Sequence, residues 1–211
     1  MTLHEPSRRE RKKDETRQRI FDAAISLFRE RGFEATTVDE ITEKADVGRG
    51  TFFNYFPRKD SILAYLSEER LAVAEENATA LLAEPTPARE KLLDLYLYAS
   101  SAWEQDRELS QFVFHEWLKR AFAPTAEAEL GWQRLVIAMI EKGRADGELR
   151  SDVEPARVDA ILSSVYIATL FHWLFCPDEC RARDFDLRGE LRTRLGILFD
   201  GLAPRAAEVK P

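Results

Sequence analysis

The sequence predicts an all-α protein in two parts: a three-helix helix-turn-helix unit at the N-terminus and a larger helical body behind it. Three observations lead there. Apolar residues recur at helical spacing along most of the chain, and no stretch alternates with period two. No Asn-Gly or Asp-Gly pair lies between β-branched runs, so hairpins are not expected. Charge is also unevenly spread. Residues 1–59 hold 13 Lys/Arg against 11 Asp/Glu, whereas residues 60–211 hold 18 against 27. A mildly basic head on an acidic body suits a protein whose N-terminal part meets a polyanion.

Composition removes other classes. Apolar residues make up 45% of the 211, enough to fill a core, so a disordered chain is excluded. Two cysteines, Cys176 and Cys180, cannot build a disulfide framework. The polar N-terminus has no apolar h-region, which predicts a cytoplasmic chain without a signal peptide. The charge-free run from Ala160 to Pro177 approaches membrane length. Ser163, Ser164, Thr169 and His172 interrupt it and Pro177 ends it, so a buried helix and no membrane partner are expected.

The first helix is predicted over about Asp14 to Arg31. Ile20, Ala24, Leu27 and Phe28 share a face, and Gly32 stands where a C-terminal glycine ends a helix. Residues 1–13, with Arg8, Arg9, Arg11, Lys12 and Lys13, read as a flexible basic arm. Thr37 and Glu40 form a capping box opening a second, short helix with Val38, Ile41 and Ala45 on its inner face. Ala45 to Gly48 is a tight turn, Arg49 to Phe56 a third helix, and Pro57 its stop. Residues 14–60 thus form one domain, and residues 61–211 a second. Its helices are predicted over about Arg58 to Ala83, Ala88 to Gln105, Glu108 to Phe122, Thr125 to Ala145, Pro155 to Cys176 and Leu187 to Leu202.

The third helix carries the functional signal. Gly48 and Gly50 each cost about 0.5–1 kcal/mol relative to Ala inside a helix, so a purely structural segment gains nothing from them. Gly48, Arg49, Gly50, Thr51, Phe53, Asn54 and Tyr55 supply small, hydrogen-bonding and aromatic groups. Phe52 and Phe56, four apart, anchor the helix inward. Such a pair of short helices fits a helix-turn-helix whose second member enters the major groove.

The ordered series from Thr16-Arg17 to Phe28, then Arg31-Gly32-Phe33, Thr36-Thr37-Val38, Ile41, Ala45-Asp46-Val47, Gly50 to Phe56, Lys59 and Leu63 resembles the N-terminal domain of TetR/AcrR-family transcriptional regulators. The resemblance covers about residues 14–63; the body is similar only in being all-helical and ending in two long apolar helices. It implies a homodimeric repressor bound to a near-palindromic DNA operator and released by a small-molecule effector. Carried onto this chain, it implies that Arg49, Thr51, Phe53 and Asn54 face the major groove. Thr37, Tyr55 and Lys59 would hold phosphates, with Gly48 and Gly50 letting the backbone come close. Two positions depart from the pattern. Gly48 stands where the family often has a capping Ser, and Phe53 where it often has Tyr, although Phe53 can still touch a thymine methyl.

In the body, aromatic residues are dense, and His115 and Glu116 interrupt a helix otherwise apolar on nearly all sides. The resemblance implies an inducer pocket here, with Trp103, Phe112, His115, Glu116, Trp132 and Tyr166 as candidates for an apolar or aromatic ligand. Leu191, Leu195, Leu198 and Leu202, together with Ser163, Ser164 and Ile167, are the candidate dimer interface. His172, Cys176 and Cys180 have helical spacing, but Pro177 intervenes and a fourth ligand is not obvious, so two free thiols are expected and no cofactor or metal. No G-x-S-x-G, P-loop, strand-linked G-x-G-x-x-G or H-E-x-x-H motif occurs, so no enzyme is expected. The alternatives are a DNA-binding regulator without a ligand and an all-α enzyme.

Overall fold

A computed structural model describes residues 7–121, 129–176 and 185–203. Among these residues there are nine helices and no strand: α1 (Arg8–Arg31), α2 (Val38–Lys44), α3 (Arg49–Tyr55), α4 (Asp60–Ala83), α5 (Ala88–Glu104), α6 (Arg107–Ala121), α7 (Glu129–Ala145), α8 (Pro155–Phe175) and α9 (Leu187–Leu202). The expected ends at Phe122 and Thr125, and Cys180, lie outside the described residues.

The chain divides into two compact units. The first comprises residues 1–67 and Glu108–Trp117; the second comprises Glu68–Arg107 and residues 118–211. The division differs from the expected boundary at residue 60 because Ile62 and Leu63 of α4 are fully buried in the first unit. The helices α4 and α6 each have residues in both units.

In the first unit α1 packs on α2 and α2 on α3, over a core that includes Ile20, Ala24, Phe28, Ile41, Phe52 and Phe56. The first helix begins six residues earlier than expected. Ser7 caps it: the Glu10 amide donates to Ser7 Oγ at 3.3 Å, and the Ser7 amide donates to Glu10 Oε2 at 2.7 Å. This capping box holds Arg8, Arg9, Arg11, Lys12 and Lys13 on exposed helix, so from residue 8 the expected flexible arm is ordered. At the other end Gly32 has φ 88° and ψ 154°, a region open essentially to glycine alone, and there the chain leaves the helix.

In the second unit α5, α7, α8 and α9 pack pairwise: α9 on α8 and α5, and α7 on α8 and α5. Leu92, Leu95, Tyr96, Val136, Met139, Ile140, Leu162, Leu195 and Phe199 lie in one core. Gly143 on α7 is required by closeness, since a Cβ there would stand 2.5 Å from the Cβ of Ala88. Lys91 is fully buried, and its ammonium donates to the carbonyl oxygens of Leu82, at 3.2 Å, and Glu84. It thereby closes the C-terminal end of α4, where unpaired carbonyls and the helix dipole favour a cation. By length and composition α8 could cross a membrane, with mean hydropathy 1.5. Its Val158, Leu162, Leu170 and Leu174 are nevertheless buried within this unit.

Candidate nucleic-acid interface

The α2–α3 pair is set by three local devices. Thr37 and Glu40 cap α2 reciprocally: the Glu40 amide donates to Thr37 Oγ1 at 3.3 Å and the Thr37 amide to Glu40 Oε2 at 2.8 Å. These bonds hold the Glu40 carboxyl below its ordinary range, with the Thr37 amide as the larger cause. Asp46, at φ 50°, takes the left-handed conformation that turns the chain, and the Val47 amide donates back to the Thr42 carbonyl at 3.0 Å. Phe52 and Phe56 then anchor α3. Both are buried, and Phe56 meets Tyr65 edge-on at 5.9 Å. Arg17 lies over the Tyr65 ring at 4.8 Å.

Anchoring Phe52 and Phe56 turns the opposite face of α3 outward. Arg49, Gly50 and Asn54 are exposed and Phe53 is 44% exposed, while Thr51 and Tyr55 are half-buried. The Phe53 ring meets Phe52 edge-on at 5.3 Å and leaves the rest of its surface to solvent. Nothing lies within 4 Å of where a Cβ on Gly48 or Gly50 would stand, so neither glycine is needed for internal packing. Gly48 caps α3 without a side-chain hydrogen bond. Arg49 pairs with Asp39 of α2 at 3.0 Å, both groups exposed. Such a pair is weak in water and is easily exchanged for a phosphate or base edge.

Lys59 has a different place from the one expected. Its ammonium donates to the carbonyl oxygens of Phe33 at 2.7 Å, Thr36 at 2.9 Å and Glu34 at 3.4 Å, and it lies 4.2 Å from the centre of the Phe33 ring. Three donors are thereby committed to the α1–α2 loop, so Lys59 organises that loop rather than presenting a free charge to phosphate. Thr37 is likewise engaged with Glu40, its hydroxyl donating at 2.9 Å. The Phe33 ring also meets the Phe112 ring of α6 at 5.0 Å. Phe112 therefore belongs with the first unit and not with an inducer pocket. So do His115, which is exposed, and Glu116, which is half-buried. Val113 and Phe114 take the buried positions of that helix, and its rotation leaves His115 in solvent.

The remaining pocket candidates come together in the second unit. Trp103 Nε1 donates to the Tyr166 hydroxyl at 2.9 Å, and Tyr96 joins Tyr166 to Trp132 with ring centres 5.2 and 5.8 Å away. Asp159, Gln133 and Tyr96 were not among the expected site residues. Tyr96 and Trp103 stand seven apart, on one helix face, whereas Asp159 sits in a charged stretch that gives no hint of burial. The expected dimer stripe needs correction: Leu191, Leu195 and Leu202 are buried by the chain's own residues, because they point into the core of this unit, and Leu198 is packed partly against it. The outward apolar residues of α8 and α9 are Ile161, Phe171 and Phe175, with Ile197 at 70% exposure. Ser164 and Ala168 lie exposed with them; Ser163 and Ile167 are half-buried. Among the described residues no group of three or more His, Cys, Asp or Glu could hold a metal ion.

Comparison with known proteins agrees with this arrangement. Residues 20–66 match the family described as bacterial regulatory proteins, tetR family. The transcriptional regulator AcrR of Shigella flexneri is 28% identical, over 88% of both chains. The transcriptional repressor KstR of Rhodococcus jostii is 28% identical over 95% of this chain and 91% of its own. Among solved structures, Thermus thermophilus FadR, a transcriptional repressor in complex with lauroyl-CoA, is 30% identical and superposes with a TM-score of 0.70 over 92% of this chain and 99% of that one. With a helix-turn-helix framed by buried Phe52 and Phe56, and a relative alike along its whole length, the chain belongs to the TetR family of bacterial transcriptional regulators.

Proposed function

We propose that the chain is a homodimeric repressor that binds a two-fold symmetric DNA site through α3 and is released by a small organic effector held in the second unit. One observation carries the DNA-reading half. The inward face of α3 is fixed by Phe52 and Phe56, while Arg49, Gly50, Phe53 and Asn54 lie exposed on its outer face. Asn54 has the chemistry to pair with adenine, Arg49 with guanine, and Phe53 with a thymine methyl. The five basic residues at the start of α1 add phosphate attraction.

Dimerisation is assigned to α8 and α9, through Ile161, Ser164, Ala168, Phe171 and Phe175 with Ile197. These outward residues replace the leucine stripe, which is spent on the core. A dimer places two reading helices about 34–36 Å apart, one turn of DNA. The effector half is supported by the aromatic cluster of Trp103, Tyr96, Trp132 and Tyr166, and by FadR having been solved with lauroyl-CoA. Coupling from effector to DNA is assigned to α6, whose Phe112 rests on the Phe33 loop that Lys59 holds. An effector preferring the DNA-incompetent form by about 1–3 kcal/mol weakens operator binding about 5- to 150-fold.

The test is selection of bound fragments from random duplex DNA with the purified full chain. A two-fold symmetric consensus is expected. Enrichment of no sequence at low salt, with folded protein, would contradict a sequence-specific repressor. The relatives' names give transcriptional regulation and no reaction, and the absence of catalytic motifs points the same way.

A further inference from the structure

The second unit contains a carboxylate that its own side chains do not balance. Asp159 on α8 is 4% exposed. One oxygen accepts from Gln133 Nε2 at 3.1 Å; the other, Oδ1, is buried without a hydrogen-bond partner. Ser163, one turn along the helix, is the carboxyl's other hydrogen-bonding neighbour, and among the described groups acting on it no cation figures. Burial pushes it above the ordinary carboxylate range. Tyr96, 1% exposed on α5, is close enough for that charge to act on its buried hydroxyl, whose polar neighbours are Ser163 and Trp132.

These buried groups lie within the aromatic cluster. The Tyr96 ring meets Trp132 edge-on and Tyr166 at a tilt, and Tyr166 is tied to Trp103. Arg70 lies over the Trp103 ring at 5.3 Å, and its charge bears on Tyr166. The cluster thus carries a positive group beside Tyr166 and a negative one beside Tyr96. A buried charge persists when it is paired or hydrogen-bonded, and a cation gains further from aromatic faces.

We infer that Asp159 and Tyr96 receive the protonated amine of an arylalkylamine effector, whose apolar part lies against Trp132 and Tyr166. The inference rests on the reading of the second unit as the effector site and names the chemistry it selects. The ammonium donates to Asp159 Oδ1, the unpartnered oxygen, and lies beside the Tyr96 hydroxyl. An effector with a carboxylate at that end meets like charge instead.

Two probes of similar size and opposite charge test it: tryptamine and indole-3-propionate, titrated calorimetrically into the full chain, with lauroyl-CoA as a third. Tryptamine is expected to bind at least about tenfold more tightly than indole-3-propionate, because the charge-assisted bond is made only with the amine. Asp159→Asn should weaken tryptamine about tenfold, and Tyr96→Phe by less. The ligand-free Asp159→Asn protein should melt no lower than the parent. A carboxylate kept for structure would lower the melting point when removed, whereas one kept for a ligand does not. Equal affinity for the two indoles, unchanged tryptamine binding by Asp159→Asn, or no tryptamine binding overturns the inference. If lauroyl-CoA then binds parent and Asp159→Asn alike, the effector site stands and only its chemistry falls. If none of the three probes binds, the effector reading loses its support as well.

Discussion

The two units use polar groups in opposite ways. In the first, polar side chains are committed locally and leave one outward face uncommitted. Thr37 and Glu40 cap each other, Lys59 holds three carbonyls, and Lys44 bonds Ser26 and Glu30 at 2.7 Å each. What is left over on α3 is Arg49, Phe53 and Asn54, of which Arg49 has a weak, exposed ion pair and Phe53 an edge contact with Phe52. In the second unit, polar groups are taken inside, and Asp159 keeps an unpartnered oxygen among aromatic rings. A rigid surface suits reading a fixed duplex, and an unsaturated interior suits a guest. The difference teaches that unused hydrogen-bonding capacity marks both sites, outside in one unit and inside in the other.

The largest effect separates core from interface in the second unit. Leu195→Ala should cost about 2–5 kcal/mol of stability in denaturant unfolding and leave the dimer intact in sedimentation, because the side chain is wholly buried within its own chain. Dissociation without loss of stability would restore the leucine stripe as the interface.

Next in size, Lys59→Met tests how the first unit commits its charges. Losing the bonds to Phe33, Glu34 and Thr36 should destabilise that unit by about 1–3 kcal/mol. It should also weaken operator binding while leaving its salt dependence unchanged. A salt slope smaller by about one unit would instead make Lys59 a phosphate contact.

A smaller effect concerns pH. The raised carboxyl of Asp159 means that the folded chain holds that proton more readily than the unfolded chain, so its penalty is present near neutrality and is relieved as pH falls towards the ordinary carboxylate range. Any stability advantage of ligand-free Asp159→Asn over the parent should therefore shrink as pH falls from neutrality. An advantage that grew on acidification would mean that Asp159 is stabilised as an anion. The smallest effect is at α3. Gly48→Ser has open space and supplies the missing cap, so it should stabilise by a few tenths of a kcal/mol, about 0.3.

Much of the fold was legible because its signals are local. Thr37 with Glu40, the glycine after Arg31 and Pro57 fix ends within a few residues, and α9 has the bounds its leucine period predicts. The early start of α1 was also written locally, in Ser7 and Glu10, under a run of charges that reads as a tail. What could not be read depends on which neighbours arrive. Periodicity finds the stripe from Leu191 to Leu202 but does not say whether its own core or a second chain covers it. Residue type gives Lys59 a charge and not the three carbonyls that surround it. His115 and Asp159 exchanged expected places, one turned to solvent and the other buried, because helix rotation about α6 and α8 is set by packing with other helices.

The central claim is that the outer face of α3 reads bases on a framework held by Lys59. It is tested most directly by measuring affinities of the parent, Asn54→Ala and Lys59→Met on the selected operator and on each of its single-base variants. The account predicts that Asn54→Ala loses about 1–3 kcal/mol of discrimination at one base pair in each half-site, while Lys59→Met weakens all variants alike. Uniform weakening by Asn54→Ala would contradict base reading by α3.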